Sequence, residues 1–330
     1  MNKLGVIGAG AWGTALATVG VRAGLDTLVW ALENEVVNSI NSNHINHLFL
    51  SEVPLDPALK ATNDMSNMAD RDLIFMVAPA QHIRSVSSAL AEYVPKGVPI
   101  LICSKGIEVS TGKLMGTVLG ETMPDNPIGV LGGPTFAAET SRNMVSALTL
   151  AIADEKLGND IMEAIGLPTF RPYLTGDVVG AQIGGAIKNI IAIASGIVAG
   201  LELGENAKAA IITRGLNEMQ RFGLSRGARS ETMMGLSGLG DLVLTCSSTQ
   251  SRNMSLGLAL GHGKSFKEIM AGRISVSEGA HTVKVVHKIS EDEAIDMPIT
   301  QAVYRIIYEG DSVEEVMNDL LTRPFTKESF

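Results

Sequence analysis

Short apolar runs alternate with stretches of helical spacing over the first half of the chain. Strands that alternate with helices are typical of an α/β domain, in which a parallel sheet carries helices on both faces. Residues 42–60 follow neither period, so the sequence predicts a loop there. The apolar runs predict strands at 4–7, 27–30, 73–77, 99–103, 128–131, 145–151 and 169–173.

The pattern changes at about residue 176, after which apolar residues recur at helical spacing. The second half therefore predicts an all-α domain, and we place the two domains at 1–177 and 178–330. Asn206 and Ser251 are expected to cap helices, and Pro298 suits a first helical turn. The helical stretches are 178–203, 206–222, 253–260, 281–289, 299–308 and 313–321.

Composition narrows the class of protein. The 330 residues are enough for about two domains with large cores. A content of 45% hydrophobic and 18% charged residues excludes a disordered chain. The formal net charge is −9 and the chain has no basic tract, which argues against nucleic acid as a partner. An anionic ligand would therefore have to be bound by a few local cations.

Cysteine usage and hydropathy bear on the compartment. Cys103 and Cys246 are far apart and form no CxxC pair, so we expect neither a disulfide framework nor a structural zinc site. The longest apolar stretch, 190–201, is too short to span a membrane. The chain enters its first strand without a charged leader or a cleavage site. These observations predict a cytoplasmic protein with no integral membrane segment and no metal.

The strongest motif is a glycine-rich turn between the first strand and the first helix. Residues 8–13 read GAGAWG and match GxGxxG in the context that gives this pattern its meaning. Gly8 permits a tight turn, Gly10 lets a pyrophosphate approach the backbone, and Gly13 lets the helix pack on the strand. The helix N-terminus adds free N–H groups and a partial positive charge. Dinucleotide binding is favoured over an ordinary strand–helix turn.

The residue that selects between NAD and NADP is weakly specified. An acid about 20 residues beyond the glycines would bind the adenosine ribose. The chain has Leu32 and Glu33 in this region, and Glu33 could equally begin the next helix. Either NAD or NADP therefore remains open as the cofactor.

Two loops follow strands at the sheet edge where ligands bind in open α/β folds. Lys105 follows the strand at 99–103 and would point into that edge, although a solvated loop lysine would look the same in sequence. Residues 132–137, GGPTFA, follow the next strand and permit a close backbone approach.

Lys188 and Asn189 interrupt a helix that is otherwise almost wholly apolar. A buried lysine is costly unless it is paired or functional, and burial can bring a lysine pKa toward neutrality, which suits proton transfer. The alternative is a lysine whose head group reaches the surface. The preceding pair, Gly184 and Gly185, is expected to let a flat ligand ring approach the backbone.

Two further segments carry candidate polar groups at helix starts. Asp241 and Thr245 are four residues apart and would share one helix face, although a capping aspartate would look identical. Residues 251–253, Ser-Arg-Asn, offer a helix N-terminus with a two-pronged Arg252 and predict a phosphate site. A serine cap with an exposed arginine is the alternative.

Together these segments resemble the NAD(P)-dependent glycerol-3-phosphate dehydrogenases of the bacterial biosynthetic type. The resemblance runs along essentially the whole chain, and several separated motifs in the same order make it specific. The motifs are GAGAWGTALA (8–17), KGIE (105–108), GPTFAAE (133–139), GGAIKNIIAIASG (184–196), NAKAAIITRGLNEM (206–219), GLSGLGDLVLTC (235–246), SRN (251–253) and SEGAHT (277–282).

The resemblance implies a Rossmann-type N-terminal domain followed by an all-α C-terminal domain, as in 6-phosphogluconate dehydrogenase-like folds. It implies reversible reduction of dihydroxyacetone phosphate to sn-glycerol 3-phosphate with NAD or NADP, in an expected homodimer. Lys188 would be the catalytic acid/base, and the further catalytic residues would be Lys105, Asp241, Asn189 and Thr245. Asp241 and Asn189 would hold Lys188 and the substrate hydroxyls, and Thr245 would support them. Substrate contacts would come from Lys105, Gly133, Thr135, Lys188, Asp241, Ser251, Arg252 and Asn253. Cofactor contacts would come from Gly8, Gly10, Ala11, Trp12, Gly13, Lys105, Ala137, Arg252, Val276 and Glu278.

Two departures from the family pattern concern the cofactor. Members commonly carry Arg or His where this chain has Leu32 and Glu33, which weakens the case for NADP. The family usually has Tyr where Phe49 stands, which removes a hydroxyl near the adenine side.

Two other functions are weighed against this interpretation. A 3-hydroxyacid or 6-phosphogluconate-type dehydrogenase shares the two-domain plan and a lysine on a helix, but it would need a carboxylate clamp in place of the Ser-Arg-Asn segment. A non-catalytic NAD(H)-binding redox sensor could lose Lys188 and Asp241, whereas this chain has both.

Overall fold

The computed structural model describes residues 1–271, 277–325 and 327. The strands are β1 Lys3–Ile7, β2 Asp26–Trp30, β3 Ile45–Asn46, β4 Leu50–Pro54, β5 Lys60–Thr62, β6 Leu73–Met76, β7 Ile100–Ile102, β8 Ile128–Gly132, β9 Ser146–Ile152 and β10 Phe170–Thr175. The α-helices are α1 Ala11–Arg22, α2 Asn34–Asn43, α3 Ile83–Leu90, α4 Met115–Thr122, α5 Ala137–Ser141, α6 Glu155–Ile165, α7 Val178–Gly200, α8 Gly204–Leu224, α9 Ser230–Met233, α10 Asp241–Ser247, α11 Arg252–Gly261, α12 Phe266–Ala271, α13 Glu278–Asp292, α14 Pro298–Tyr304 and α15 Val313–Leu321. Two π-helical turns, Leu236–Gly240 and Arg305–Glu309, and two 3-10 turns, Met65–Met68 and Ala80–His82, complete the described elements.

An eight-stranded sheet has the order β10-β9-β8-β7-β6-β1-β2-β5. The strands from β8 to β5 run parallel, as the alternation of strands and helices predicts. β9 runs antiparallel to β8, and β10 pairs parallel with β9, so the two strands at the far edge depart from a purely parallel sheet. The connection from β8 to β9 contains only the five-residue helix α5. The strand order reverses beside β1, and ligands of such sheets bind at the carboxyl ends there.

Both faces of this sheet are covered, as β6 illustrates. Leu73 and Phe75 belong to one apolar core with residues of α1 and α6. Ile74 and Met76 belong to a second core with residues of α3 and α4. Successive side chains of a strand point to opposite faces, so a strand that is buried on both sides reads as a continuous apolar run.

Residues 42–60, predicted as a loop, instead hold a small antiparallel sheet formed by β3 and β4. β3 has only two residues, too few to show an apolar period. In β4 the buried residues are Leu50 and Val53, which do not alternate with exposed ones as in a half-buried strand. The buried side chain of β3 is the polar Asn46. A hairpin held through a polar side chain has no hydrophobic signature, which explains why the prediction was wrong.

The described part of the second half contains helices and turns, as predicted. Among the described helices, α7 is long and apolar enough to cross a membrane, but 94% of its apolar window is buried inside the protein. Ser251 caps α11 by accepting the Met254 N–H (3.2 Å), and Pro298 occupies the first turn of α14, as predicted. Asn206 is not a cap, because the chain turns earlier at Gly204, which has φ +85° and begins α8.

α7 and α11 pack glycine against glycine. A Cβ on Gly196 would lie 2.2 Å from a carbonyl oxygen of α11, and a Cβ on Gly257 would lie 2.0 Å from a carbonyl oxygen of α7. Gly200 and Gly261 make the same close approach one turn further along. These four residues form a glycine seam in which backbone touches backbone.

The chain divides into two compact units. The first contains Met1–Lys105 and Leu114–Ala181, and the second contains Gly106–Lys113 and Gln182–Phe330. The predicted domain boundary after residue 177 stays a prediction.

Candidate functional site

The glycine-rich turn in the first unit lies at the carboxyl ends of β1 and β6. Gly8 has φ +111°, a conformation that favours glycine, and its N–H donates to the Trp30 carbonyl at the end of β2 (2.9 Å). A Cβ on Gly8 would lie 3.0 Å from the Ala78 backbone nitrogen that follows β6. A Cβ on Gly13 would lie 1.8 Å from the Gly8 carbonyl oxygen. The protein's own backbone therefore requires glycine at both positions.

Gly10 has no such internal reason to be glycine. A Cβ there would meet nothing within 4 Å, and its φ of −63° and ψ of 178° suit any residue. α1 begins at the next residue, Ala11, with no side-chain cap and no acid in its first turn, and Trp12 is half-buried beside it. Open space at a glycine, next to an uncapped helix N-terminus, fits a phosphate group bound by backbone N–H groups. The residues present therefore fit a dinucleotide.

A second loop of the first unit joins three of the predicted site residues. The Lys105 ammonium donates to the Gly133 carbonyl (3.4 Å), and the Thr135 hydroxyl donates to the same oxygen (3.2 Å). Gly133 has φ +158°, and a Cβ there would lie 2.9 Å from the Leu148 backbone. Lys105 is half-buried and bound to this loop, so it is not the solvated loop lysine of the alternative interpretation.

In the second unit, Lys188 lies in a buried polar cluster on α7. Its ammonium donates to Asp241 Oδ1 (2.5 Å) and to the Thr245 hydroxyl (2.6 Å). The Thr245 hydroxyl donates in turn to the Asp241 carbonyl (2.6 Å), which leaves its oxygen to accept from the lysine. Lys188 is 5% exposed and Asp241 is 1% exposed. The lysine head group therefore stays inside the protein, beside a carboxylate.

Asp241 does not cap α10, because Gly240 is the capping residue and no side-chain cap is present. Asp241 instead follows a π-helical turn, Leu236–Gly240, which the sequence interpretation did not include. This turn packs directly on α7, since a Cβ on Gly184 would lie 2.3 Å from the Ser237 carbonyl oxygen. Backbone therefore occupies the space over Gly184 that was expected to admit a flat ligand ring. The signal that could have indicated the turn is the glycine-rich run GLSGLG at 235–240.

Asn189 and Asn253 bind each other. The Asn253 amide donates to Asn189 Oδ1 (3.0 Å), and its own Oδ1 accepts the Gly279 N–H at the start of α13 (3.1 Å). The Asn189 amide donates to the Gly185 carbonyl (3.4 Å). Both asparagines are buried. The structure thus joins α7, α11 and α13 through these two amides, and brings Asn189 to Asn253 rather than to Lys188.

The Ser-Arg-Asn segment splits between two environments. Ser251 is 6% exposed and caps α11, whereas Arg252, the first residue of that helix, is exposed. The serine-cap alternative therefore describes Ser251 correctly. It leaves Arg252 at a helix N-terminus, where an anion is favoured.

Two further predicted residues lie at helix starts. Ala137 begins α5 and Glu278 begins α13, and both are half-buried. Val276 lies outside the described residues.

Burial raises the pKa of the Cys246 thiol to about 12, so this neighbour of Thr245 is no nucleophile at neutral pH. Within residues 1–271, 277–325 and 327, no group of three or more His, Cys, Asp or Glu side chains could hold a metal ion.

Known proteins match the chain along its whole length. The models for the NAD-dependent glycerol-3-phosphate dehydrogenase N-terminus and C-terminus match residues 3–158 and 177–318. Two relatives named glycerol-3-phosphate dehydrogenase (NAD(P)+) align over 328 residues. The one from Parvibaculum lavamentivorans is 49% identical over 99% of this chain and 98% of its own length. The one from Caulobacter vibrioides is 50% identical over 99% of each chain.

The crystal structure of glycerol-3-phosphate dehydrogenase from Coxiella burnetii is similar throughout, with a TM-score of 0.93 and 36% identity, covering 98% of this chain and 99% of that one. This likeness and the sheet order confirm the predicted fold class, a Rossmann-type α/β domain followed by an all-α domain. With both family models matched in order and relatives half identical over the full length, the chain belongs to the NAD-dependent glycerol-3-phosphate dehydrogenase family.

Proposed function

We propose that the chain catalyses the reversible, NAD(P)H-dependent reduction of dihydroxyacetone phosphate to sn-glycerol 3-phosphate, the backbone of glycerophospholipids. The observation that carries the proposal is the buried contact of Lys188 with Asp241 and Thr245. A lysine held at a fixed position, out of water, is suited to give a proton to a carbonyl oxygen and to take it back. Family membership supports the choice of substrate.

The cofactor side of the reaction falls to the first unit. When bound, the nicotinamide cofactor supplies the hydride that adds to C2 of the substrate. Gly8, Gly10 and Gly13 shape the turn, and the N–H groups of Ala11 and Trp12 bind the pyrophosphate at the α1 N-terminus. Lys105, Ala137, Arg252, Val276 and Glu278 are proposed as its further contacts.

Lys188 donates the proton that the carbonyl oxygen of dihydroxyacetone phosphate requires as its C2 is reduced. Asp241 holds the ammonium at one point through a charge-assisted hydrogen bond, and Thr245 fixes it at a second. Because the group is oriented before the substrate arrives, no reorganisation is needed during the reaction. Asn189 helps to position Lys188 indirectly. It accepts a hydrogen bond from Asn253, and this bond joins α7, which carries Lys188, to α11.

The substrate's phosphate needs a local cation in a chain of net charge −9. Arg252 supplies a planar fork of donors at the N-terminus of α11, where the helix dipole also favours an anion. Ser251 and Asn253 hold the start of α11 in place, through its cap and through α13. Lys105, Gly133 and Thr135 are proposed as substrate contacts on the first unit.

We further propose that the protein acts as a homodimer in the cytoplasm, with no nucleic acid partner and no integral membrane segment. The buried character of α7 supports a role in the protein core rather than in a membrane.

Steady-state oxidation of NADH and NADPH with dihydroxyacetone phosphate tests the proposed reaction. The expected result is turnover that depends on the phosphorylated ketone. Turnover with 3-hydroxy acids or 6-phosphogluconate instead would identify the related dehydrogenase class. Tight NADH binding without turnover of any phosphate ester would point to a redox sensor.

A further inference from the structure

Asn46, in the segment that was predicted as a loop, contacts the glycine-rich turn directly. Its side chain is 0% exposed. The amide nitrogen donates one hydrogen to the Ala9 carbonyl (2.7 Å) and the other to the Thr14 hydroxyl (2.8 Å). The amide oxygen accepts the Phe49 N–H (3.2 Å), so every polar atom of this side chain is used.

These contacts fix one peptide plane. The Thr14 hydroxyl also donates to the Ala9 carbonyl (3.2 Å), so two donors hold that oxygen from the interior. The Ala9 carbonyl and the Gly10 N–H belong to the same trans peptide and therefore point in opposite directions. Among the described residues none accepts the Gly10 N–H, and a Cβ on Gly10 would meet open space. The two bonds that hold the Ala9 carbonyl toward the protein interior therefore also hold the Gly10 N–H toward the open space at Gly10.

We propose that Asn46 is a positioning residue for the cofactor, and that with Thr14 it orients the Gly10 N–H toward the dinucleotide pyrophosphate. The inference rests on the proposed function for the presence of that pyrophosphate. An amide is required at position 46, since it must donate twice to oxygens and accept once from backbone. A carboxylate of the same size has no hydrogen to donate to the Ala9 carbonyl or to the Thr14 hydroxyl oxygen, both of which accept from Asn46.

Three substitutions test the proposal in the full chain, with NADH and ADP-ribose as probes. Asn46→Asp removes both donated hydrogen bonds at almost constant volume, and we expect the Kd for both probes to rise about tenfold or more. Thr14→Val removes one of two bonds to the Ala9 carbonyl and the bond that Thr14 accepts from Asn46, and we expect a rise of roughly threefold. Thr14→Ser keeps the hydroxyl, and we expect its Kd to stay within about twofold of the wild type.

Asn41 offers a matched control on the same unit. Its amide donates to the Ala61 carbonyl and its oxygen accepts the Ala61 N–H, both at 2.9 Å, which joins α2 to β5 without touching the glycine-rich turn. Asn41→Asp loses the donated bond and keeps the accepted one. It should therefore lower the melting temperature while leaving the Kd for NADH within about twofold. Melting curves of all variants show whether each remains folded, and the KM for dihydroxyacetone phosphate at saturating NADH separates a cofactor effect from general distortion.

A rise in the Kd for Asn46→Asp that exceeds that of Asn41→Asp, with the substrate KM unchanged, supports the proposal. An Asn46→Asp Kd no higher than that of the control overturns it, as does a parallel rise in the substrate KM. If the wild type binds NADH but does not reduce dihydroxyacetone phosphate, the proposed reaction fails while the Kd comparison still decides the role of Asn46. A wild type that binds no NADH refutes both.

Discussion

Lys188 and Asp241 form a hydrogen-bonded pair of 2.5 Å between two helices, and neither residue is more than 5% exposed. Removing one member of such a pair leaves the other charge buried without its partner, which typically costs about 3–5 kcal/mol. A loss of activity in a single variant could therefore come from unfolding as well as from chemistry. Variants of this pair must separate the two effects.

Lys188→Met is expected to lower kcat by about 10²–10⁴-fold, because it removes the proton donor. The double variant Lys188→Met/Asp241→Asn removes the unpaired charge as well. It should recover most of the melting temperature and none of the turnover, with the NADH affinity near that of the wild type in both variants. Substantial turnover in either folded variant would exclude Lys188 as the acid/base.

Arg252→Ala is expected to raise the KM for dihydroxyacetone phosphate roughly ten- to a hundredfold, since a charge-assisted contact contributes about 1.5–3 kcal/mol. Arg252→Lys should rescue this only in part, because an ammonium lacks the planar fork. Unphosphorylated dihydroxyacetone is the control, and its slow reduction should barely change. Equal losses with both substrates would assign Arg252 to the cofactor or to folding.

NADH is expected to serve at least as well as NADPH. Leu32 is 75% exposed just after β2, and Glu33 is the residue that precedes α2, so neither offers a cation for a 2′-phosphate. Leu32→Arg should raise the ratio of NADPH to NADH kcat/KM about tenfold. Asn38→Arg adds the same charge on the exposed side of α2 and should leave the ratio unchanged. A wild-type kcat/KM for NADPH more than about tenfold above that for NADH would contradict the expectation.

Gly184→Ala should lower kcat about ten- to a hundredfold, because its Cβ would push the Ser237 carbonyl away and carry Asp241 off Lys188. Gly158→Ala is the control, since its Cβ in α6 would lie 2.5 Å from the Leu174 side chain and should cost stability only. Melting curves and kcat of both variants make the comparison. Similar kcat values in the two variants would show that the position of the π-helical turn does not affect catalysis.

Glu218 should make stability depend on pH. Burial raises its pKa to about 7, although the carboxylate accepts hydrogen bonds from Ile299 and Thr300. The unfolded chain ionises near the ordinary value of 4.5, so between these values the folded chain holds more protons. The free energy of unfolding should therefore fall as the pH rises from about 4.5 to 7, by about 3 kcal/mol, and should level off above pH 7.

Urea unfolding at pH 5, 6, 7 and 8 measures this dependence, and the same series on Glu218→Gln isolates it from other groups. The glutamine variant should lose the decline between pH 5 and 7. The same slope in both proteins would mean that Glu218 is charged throughout.

The sequence predicts the sheet well because its central strands are buried on both faces and read as unbroken apolar runs, as 73–77 does. It indicates that Lys188 is special because a cation in an apolar helix is expensive to bury. Its partners, Asp241 and Thr245, are more than 50 residues away along the chain, and only the resemblance to the family indicated them. Local periodicity carries no information about contacts of that separation.

The same limit explains the differences at single residues. Ser251, Arg252 and Asn253 are adjacent in sequence, but successive side chains of a helix point about 100° apart, so only Arg252 is exposed. Asn46 has no periodic signal, because its partners are two groups of the glycine-rich turn rather than an apolar face.

The glycine seam between α7 and α11 restricts how this protein can be made more heat-resistant. Replacing a helical glycine by alanine ordinarily favours the helix by about 1 kcal/mol. At Gly196, Gly200, Gly257 and Gly261 the added methyl would lie 2.0–2.5 Å from a carbonyl oxygen of the other helix and would force the two apart. Gly120 in α4 is a better target for engineering, because a methyl there would meet only the Ile128 side chain, at 3.9 Å.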